Sequence, residues 1–437
     1  MIRFVATLTI LFFAALPARA EIDIQEVTSP GGLDAWLVEE PTIPFVALEL
    51  RFRGGASLDA PGKRGVVNLM TALIEEGAGD LDARGFAQAR ESLAASFRFD
   101  VGDDALSVSA KFLTENQGEA LALLRDALVD PRFDETAIER VRGQVLAHLK
   151  SRETDPNALA GQAFDALAYG DHPYGSYYGG TAESVSALTR DDILEAFANT
   201  VARDRVFVSA VGDITAAELG TLLDDLLGEV PETGAPLPDS AGFNATGGIT
   251  VVPFETPQSV MQFGHSGIGI DHPDFFAAFI LNTILGGSGF NSRLMEEVRE
   301  KRGLTYGIRT YLIDSDYTET ILGMVSTVNP RASETLEVVR AEWARLANEG
   351  VTQDELDAAK LYLTGAYPLR FDGNGPIARI LVSMQMDGYE TSYVKTRNDK
   401  INAVTLEEIN RVASELYRPD DLRFVIVGEP EGIASSD

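Results

Sequence analysis

Hydrophobic and polar residues alternate along several short segments of the chain, and this two-residue period predicts β-strands. These segments are rich in β-branched and aromatic residues, and they are Phe45–Phe52, Ser107–Phe112, Val206–Val211, Ser259–His265, Thr305–Ile313, Thr320–Ser326 and Arg423–Val427. Other segments place apolar residues three and four positions apart, which predicts amphipathic helices, as in Gly118–Leu128 and Ala332–Ala347. Because several strands follow one another while helices cluster, we expect an α+β fold in which each half of the chain is a mostly antiparallel sheet with helices on one face.

The order of these elements repeats along the chain. Thr189 and Thr405 each open a helix, a turn and a strand, and in both blocks a glycine lies 23 residues after the threonine. A threonine followed closely by an acidic residue is typical of a helix N-terminus. Upstream, Leu58–Pro61 and Ile270–Pro273 match at an offset of 212, against 216 for the later blocks. The sequence therefore predicts two homologous halves.

The first residues of the chain have the composition of a secretory signal peptide. Arg3 precedes the apolar run Phe4–Leu16, and a cleavage site of the A-x-A type ends at Ala20. We therefore expect residues 1–20 to be removed and the mature chain to begin at Glu21, in the periplasm or outside the cell.

The segment between the two predicted halves is rich in proline, glycine, serine and asparagine. It covers Pro231–Gly248, and this composition is typical of a linker. The predicted domains are therefore residues 21–230 and 249–437, since 437 residues comfortably form two domains.

Composition excludes several classes of chemistry. The chain has no cysteine, which removes disulfides, thiolate nucleophiles and cysteine-based metal sites. Its formal net charge of −31 repels nucleic acid and anionic lipid, so neither is an expected partner.

The stretch from Gly54 to Gly79, with GVVNLMTALIEEG at its centre, resembles the start of the insulinase and mitochondrial-processing-peptidase superfamily of zinc peptidases. HPYGSYYGGT from His172, LGGSGFNSRLMEEVREKRGLTYGI from Leu285 and the C-terminal helix and strand are also similar to that family. The resemblance covers nearly all of the mature chain in the right order. It implies a fold of two α/β-roll halves, as in the mitochondrial processing peptidase.

Active members of this family carry the inverted zincin motif H-x-x-E-H. The resemblance places Asn68 and Ala72 at its two histidines and Thr71 at its glutamate. A catalytic zinc ion needs three protein donors and a water, and an acidic side chain acts as the general base that activates this water. The family's third ligand falls on His148, and a lone histidine on a helix is more often packed or solvated than a ligand. We therefore expect no metal and no other cofactor on this chain, and no hydrolysis by the chain alone.

The second half keeps other parts of the family's site. The resemblance implies that Arg299 and Tyr306, seven residues apart, complete a zinc-bearing site, where their hydrogen bonds stabilise the oxyanion. From spacing alone they are a surface arginine and a half-buried strand tyrosine. Gly286, Gly287 and Gly289 lack the phosphate-loop motifs, which favours close approach to a peptide or a tight helix start.

The sequence thus predicts the zinc-free subunit of a heterodimeric metallopeptidase. A partner with H-x-x-E-H would supply zinc, and this chain would lend Arg299 and Tyr306 to bind and hydrolyse a peptide. The alternative is a non-catalytic scaffold or peptide-binding protein with the same fold. A self-sufficient metalloenzyme built around His148 is a third hypothesis, which the single donor disfavours.

Overall fold

The computed structural model describes residues 22–287 and 291–436. The predicted signal peptide and Gly289 lie outside these residues. The strands of the N-terminal half, in chain order, are β1 (Gln25–Thr28), β2 (Asp34–Glu39), β3 (Phe45–Arg53), β4 (Gly77–Ala78), β5 (Leu81–Asp82), β6 (Ser96–Val101), β7 (Ala105–Leu113) and β8 (Val206–Gly212). The strands of the C-terminal half are β9 (Ile249–Pro253), β10 (Gln258–Ser266), β11 (Ile308–Ser315), β12 (Thr318–Val328) and β13 (Arg423–Gly428).

The two large sheets share one topology, apart from β1, which extends only the N-terminal sheet. The N-terminal sheet has the order β1-β2-β8-β3-β7-β6 and the C-terminal sheet has the order β11-β12-β10-β13-β9. In each sheet a single parallel pair, β2 with β8 or β9 with β13, joins an otherwise antiparallel ladder. The predicted α+β class with mostly antiparallel sheets is confirmed, while the homology of the halves stays a prediction.

Helices connect the strands in each half. In chain order they are α1 (Val66–Leu73), α2 (Ala83–Ser92), α3 (Gln117–Val129), α4 (Glu135–Arg152), α5 (Pro156–Tyr169), α6 (Ala182–Ala187), α7 (Arg190–Thr200), α8 (Ala216–Leu227), α9 (Phe275–Asn282), α10 (Ala332–Glu349), α11 (Gln353–Ala366), α12 (Asn374–Met386), α13 (Tyr393–Ala403) and α14 (Leu406–Leu416). The predicted caps are confirmed, because the hydroxyls of Thr189 and Thr405 accept backbone N–H groups at the starts of α7 and α14.

Alternation along the strands decides which sheet face each helix covers. On β3, Val46, Leu48, Leu50 and Phe52 face the core formed with the helices of their own half. On β13, Phe424 and Ile426 do the same in the C-terminal half. Each half thus has the predicted layer of its own helices on one face of its sheet.

The opposite face of each sheet is covered by a helix from the other half. Ala378, Leu381 and Met384 of α12 pack on Trp36, Ala47 and Val211 of the N-terminal sheet. In return, Ala160, Phe164 and Ala168 of α5 pack on Val260, Val425 and Val427 of the C-terminal sheet. The halves are therefore interlocked by a reciprocal exchange of helices.

The predicted linker forms neither a helix nor a strand, but its backbone is held in place. Ala241 N–H donates to the carbonyl of Tyr317 at 2.7 Å, and Asn244 N–H donates to the carbonyl of Ala168 at 2.8 Å. His172 Nε2 lies 3.1 Å from the carbonyl of Asp239. The segment therefore contacts both halves along its length.

Candidate functional site

Helix α1, which corresponds to the zinc-binding helix of the resemblance, begins at a place fixed by two residues. Gly65 has φ of 94°, and a Cβ there would lie 2.6 Å from the carbonyl of Gly179, so only glycine fits. The carboxylate of Asp59 accepts the N–H groups of Gly65 and Val67 at 2.7 and 2.9 Å. The repeated Leu58–Pro61 segment thus contains the acid that caps α1.

The three motif positions on α1 carry no metal-binding or basic group. Thr71 is buried, and its hydroxyl donates to the carbonyl of Val67 at 2.7 Å within the same helix. Asn68 is half-buried, and Ala72 is exposed. Neither a threonine hydroxyl that is bonded in this way nor a methyl group can activate a water molecule.

His148 lies on α4, which packs against α1, and its ring contacts a tyrosine. Nε2 of His148 is 3.3 Å from the hydroxyl of Tyr177, and the guanidinium of Arg152 lies 3.6 Å from the centre of the Tyr177 ring. Burial raises the pKa of Tyr177 to about 12, so its hydroxyl stays protonated. His148, which the resemblance places at the third ligand position, is therefore within hydrogen-bonding distance of a neutral hydroxyl.

The two acids that follow α1 form ion pairs instead of a ligand set. Glu75 pairs with Arg90, and Glu76 pairs with Arg140. Within residues 22–287 and 291–436, no three acidic or histidine side chains come together as a metal site. The residues at this place therefore do not fit zinc, which requires three protein ligands for catalysis.

Two wide helical turns flank the glycine-rich segment of the C-terminal half. Thr283–Gly287 and Met295–Glu300 are both π-helical, a rare conformation that is frequent at functional sites. Gly286 is buried, and a Cβ there would lie 2.6 Å from Oγ1 of Thr310 on β11, so this glycine has a packing role. Gly287 is exposed, and a substrate-binding role for it stays a prediction.

Arg299 and Tyr306 both reach solvent, to different extents. Arg299 lies in the second π-helical turn, where its side chain is 32% exposed and pairs with Glu300 at 3.0 Å. Tyr306 is 91% exposed, more than the other large apolar or aromatic side chains that the structure describes. The chain thus presents a phenol to solvent with no packing reason for it.

The sequence was wrong about where the strand after Arg299 begins. It predicted a strand from Thr305, but β11 begins at Ile308, so Tyr306 lies in a loop. The hydroxyl of Thr305 donates to the carbonyl of Ser326 at 2.7 Å and accepts Gly307 N–H at 3.2 Å. These side-chain hydrogen bonds take the place of the backbone hydrogen bonds that a strand would make here.

Sequence reasoning missed a shallow groove beside this loop. Its volume is about 240 Å³, and its lining includes Asn157, Gly307, Arg309, Tyr311 and Ser326. Strand β11 runs along it and pairs with β12 on one side, so in the described part of the chain its other edge has no strand partner. The sequence signal that could have indicated the groove is the placement of Arg309 and Tyr311 two positions apart on an edge strand, and therefore on the same face.

Comparison with known proteins covers both halves. Residues 35–182 match the family described as insulinase (peptidase family M16), and residues 187–363 match the peptidase M16 inactive domain. The chain belongs to the insulinase family. A relative of this insulinase-family chain, the non-peptidase homolog YmxG of Helicobacter pylori, is 28% identical over 428 residues and covers 98% of both chains.

Other insulinase-family relatives carry a different description. The uncharacterized zinc protease YmxG of Bacillus subtilis is 24% identical over 405 residues, which cover 91% of this chain and 96% of that one. A crystal structure described as the peptidase M16 inactive domain from Pseudomonas fluorescens matches with a TM-score of 0.88 and 27% identity, covering 95% of this chain and 99% of that one. The absence of H-x-x-E-H, together with these matches, makes the chain a zinc-free member of the family.

Within the described ranges, each helix is too short or too polar to cross a lipid bilayer.

Proposed function

We propose that this chain is the zinc-free subunit of a heterodimeric zinc peptidase. A partner with H-x-x-E-H would supply zinc, the attacking water and the general base. This chain would supply Arg299 and Tyr306. One observation carries the proposal: the motif positions of α1 have lost their donors, while Tyr306, seven residues after Arg299, is 91% exposed.

The chemistry of the pair suits stabilisation of a transition state. During peptide hydrolysis negative charge develops on the carbonyl oxygen, and donors aimed at it lower the barrier. A guanidinium and a phenol O–H both donate hydrogen bonds and neither acts as a base at neutral pH. Their role would be to hold the oxyanion, while proton transfer stays with the partner.

The surroundings of the pair suit an extended peptide. Tyr306 leads directly into β11, whose outer edge has no strand partner in the described part of the chain, although the side chains of Met295 and Asn282 already bond the N–H of Ile308 and the carbonyl of Thr310. A peptide strand would therefore pair with β11 beyond Thr310 through backbone hydrogen bonds. The adjacent groove, which Tyr311 and Arg309 help to line, would receive side chains of that peptide. Main-chain pairing of this kind fixes the register of a substrate and places few demands on its sequence.

We place the complex in the periplasm or outside the cell, which rests on the composition of residues 1–20.

The test is hydrolysis of a quenched fluorescent peptide library by three samples: this chain, a candidate partner with H-x-x-E-H sought first among the neighbouring genes, and their mixture. Zinc is quantified in each. The expected result is turnover by the mixture, with zinc on the partner. In the mixture, Arg299→Ala with Tyr306→Phe should lower turnover by at least about 100-fold, the usual cost of removing an oxyanion donor.

Size-exclusion chromatography of the same mixtures separates assembly from catalysis. The double variant is expected to co-elute with the partner as the wild type does. Unchanged turnover by an assembled double variant would refute the role of the pair. An inert mixture whose two proteins do not associate would favour a scaffold or peptide-binding protein.

A further inference from the structure

Two β-hairpin tips, one from each half, meet at the junction of the molecule. The β6–β7 tip contains Asp103 and Asp104, and the β11–β12 tip contains Asp316 and Tyr317. The N–H of Asp316 donates to Oδ2 of Asp104 at 3.4 Å, and Arg53 pairs with Asp316 at 3.2 Å. We call these two tips the clasp.

Carboxylates outnumber cations around the clasp. Asp165 of α5 faces a cavity of about 270 Å³ that is also lined by Asp103 and Asp104. Asp314 and Asp387 lie near enough to Asp316 to add their negative charges to its surroundings. The other titratable or charged groups around these acids are cationic or neutral. The arginines are Arg51 and Arg53 of β3, Arg64 before α1, Arg152 of α4 and Arg205 before β8. The other groups are Tyr169 of α5, His172 and Tyr174 of the following turn, and Tyr317 of the opposite tip.

The arginines do not neutralise every acid. Arg64 pairs with Asp103 at 2.7 Å but also donates to Asp59 and to backbone carbonyls. Asp104 accepts hydrogen bonds from the neutral hydroxyl of Tyr174 and from a backbone N–H. Asp165 faces the like charge of Asp103, and Asp316 of the opposite tip faces that of Asp104. Closing the tips therefore brings like charges together in a partly dehydrated space.

We propose that the clasp is a proton-dependent contact, which is closed in mildly acidic solution and released above neutral pH. This inference is independent of the proposed function.

The sign follows from the direction in which burial acts on these carboxyl groups. Burial raises the pKa of Asp103 and Asp104, and it raises that of Asp165 to about 7 and that of Asp316 to about 6. In the released state these groups meet water and return towards the ordinary 3.8. Closure therefore takes up protons, so it is favoured as the pH falls from 7 towards 4 and is weakened as the pH rises through 7.

Release would be local. The exchanged helices α5 and α12 hold the halves together through apolar contacts, which do not titrate. The β11–β12 tip, by contrast, meets the N-terminal half through Asp316, which contacts Asp104 and Arg53, and through Tyr317, whose ring lies against His172 and Tyr174. Alkaline solution should therefore open the cavity between the tips while the interlocked helices stay docked.

Hydrogen exchange followed by mass spectrometry tests this, at pH 6 and pH 8.5 with correction for intrinsic exchange. Amides of residues 100–106 and 314–320 should lose about tenfold or more in protection at pH 8.5, since one unit of pKa corresponds to a tenfold change. Amides of α5 and α12 should keep theirs. Equal protection of the tips at both pH values in the wild type would overturn the proposal.

Two variants remove one negative charge each and keep the shape. Asp165→Asn and Asp104→Asn should retain protected tips at pH 8.5, whereas Asp225→Asn, on the exposed face of α8, should behave as the wild type. If either variant does not fold, the wild-type series still decides. Restored protection of the wild type at pH 8.5 by calcium chloride would also overturn the proposal, because it would make the acids a cation site.

Discussion

Trp343 donates its indole N–H to Nε2 of His265 at 3.0 Å in the core of the C-terminal half. Nδ1 of the same ring lies 2.7 Å from the carbonyl of Ser266. Because a carbonyl only accepts, Nδ1 carries the proton and Nε2 is the acceptor. Both ring nitrogens are therefore used by a neutral imidazole that is completely buried.

This pair predicts an acid-labile core. Burial lowers the pKa of His265 to about 4, from the ordinary 6.5 of an unfolded chain. Its contribution to stability is thus complete above pH 6.5 and is lost as the pH falls from about 6.5 to 4. A 2.5-unit difference corresponds to about 3 kcal/mol. Urea unfolding of His265→Gln should show a pH dependence between 7 and 4.5 that is smaller than that of the wild type by about 2 kcal/mol, since part of the difference is titrated only below pH 4.5.

His148→Gln is the matched control, since His148 is an exposed histidine on α4. The pH dependence of unfolding should change more in His265→Gln than in His148→Gln. If His265→Gln keeps the full wild-type dependence, the neutral buried imidazole is not its source.

Tyr306→Phe should separate catalysis from folding. In the mixture with an H-x-x-E-H partner, loss of the phenol hydroxyl should lower turnover by about 100-fold. The melting temperature should stay within error, because the ring is 91% exposed. Tyr362→Phe, on α11 and 54% exposed, is the control and should keep its activity. Equal losses from both substitutions would contradict a specific role of the Tyr306 hydroxyl.

Zinc binding should be restorable without hydrolysis. Asn68→His, Ala72→His and His148→Glu together return three donors to α1 and α4, which pack against each other. Mass spectrometry of the metal content should find about one zinc per chain. Because Thr71 remains, no base activates the bound water, and peptide hydrolysis should stay at background. The double variant Asn68→His with Ala72→His keeps His148 and lacks the introduced glutamate, so it should bind zinc more weakly. Equal zinc contents of the double and triple variants would show that position 148 is not a ligand.

A buried ion pair should hold the segment that carries Arg299. Arg293 donates to both carboxylate oxygens of Glu355, at 2.6 and 2.8 Å, and to the carbonyl of Gly350. Burial alone would raise the pKa of Glu355, but the bonds from Arg293 and Thr352 lower it to about 2.

Arg293→Ala should therefore cost about 3 kcal/mol in urea unfolding at pH 7, since it leaves a partly buried carboxylate without its cation. Arg98→Ala breaks a surface pair with Asp100 and should cost less than about 1 kcal/mol. Similar costs for the two substitutions would contradict a special role for Arg293.

Much of the fold could be predicted from local pattern. The strand predicted over Phe45–Phe52 is β3, and the helix predicted over Ala332–Ala347 is α10, because alternation and three-to-four spacing report burial directly. The start of β11 was missed, because a hydroxyl of Thr305 makes bonds that the period does not reveal.

The partner of each buried face was beyond local pattern. The run Phe424–Val427 has no polar position, which indicates a strand covered on both faces. Nothing in that run says that α5, more than 250 residues earlier, covers one of them. For the site, the loss of ligands at Asn68 and Ala72 was readable from spacing within the resemblance. The exposure of Tyr306 and the contact of His148 with Tyr177 needed the fold.

The exchange of α5 and α12 has a consequence for how the chain can be made. A polypeptide cut within residues 231–248 would yield two pieces, each with a bare apolar sheet face and a bare apolar helix. Neither piece would be a stable, soluble unit, whereas the two expressed together should find each other and rebuild the whole. A nascent N-terminal half must likewise wait for residues 374–386 before its sheet is shielded from water, so the protein reaches its native state only after almost all of it has been synthesised.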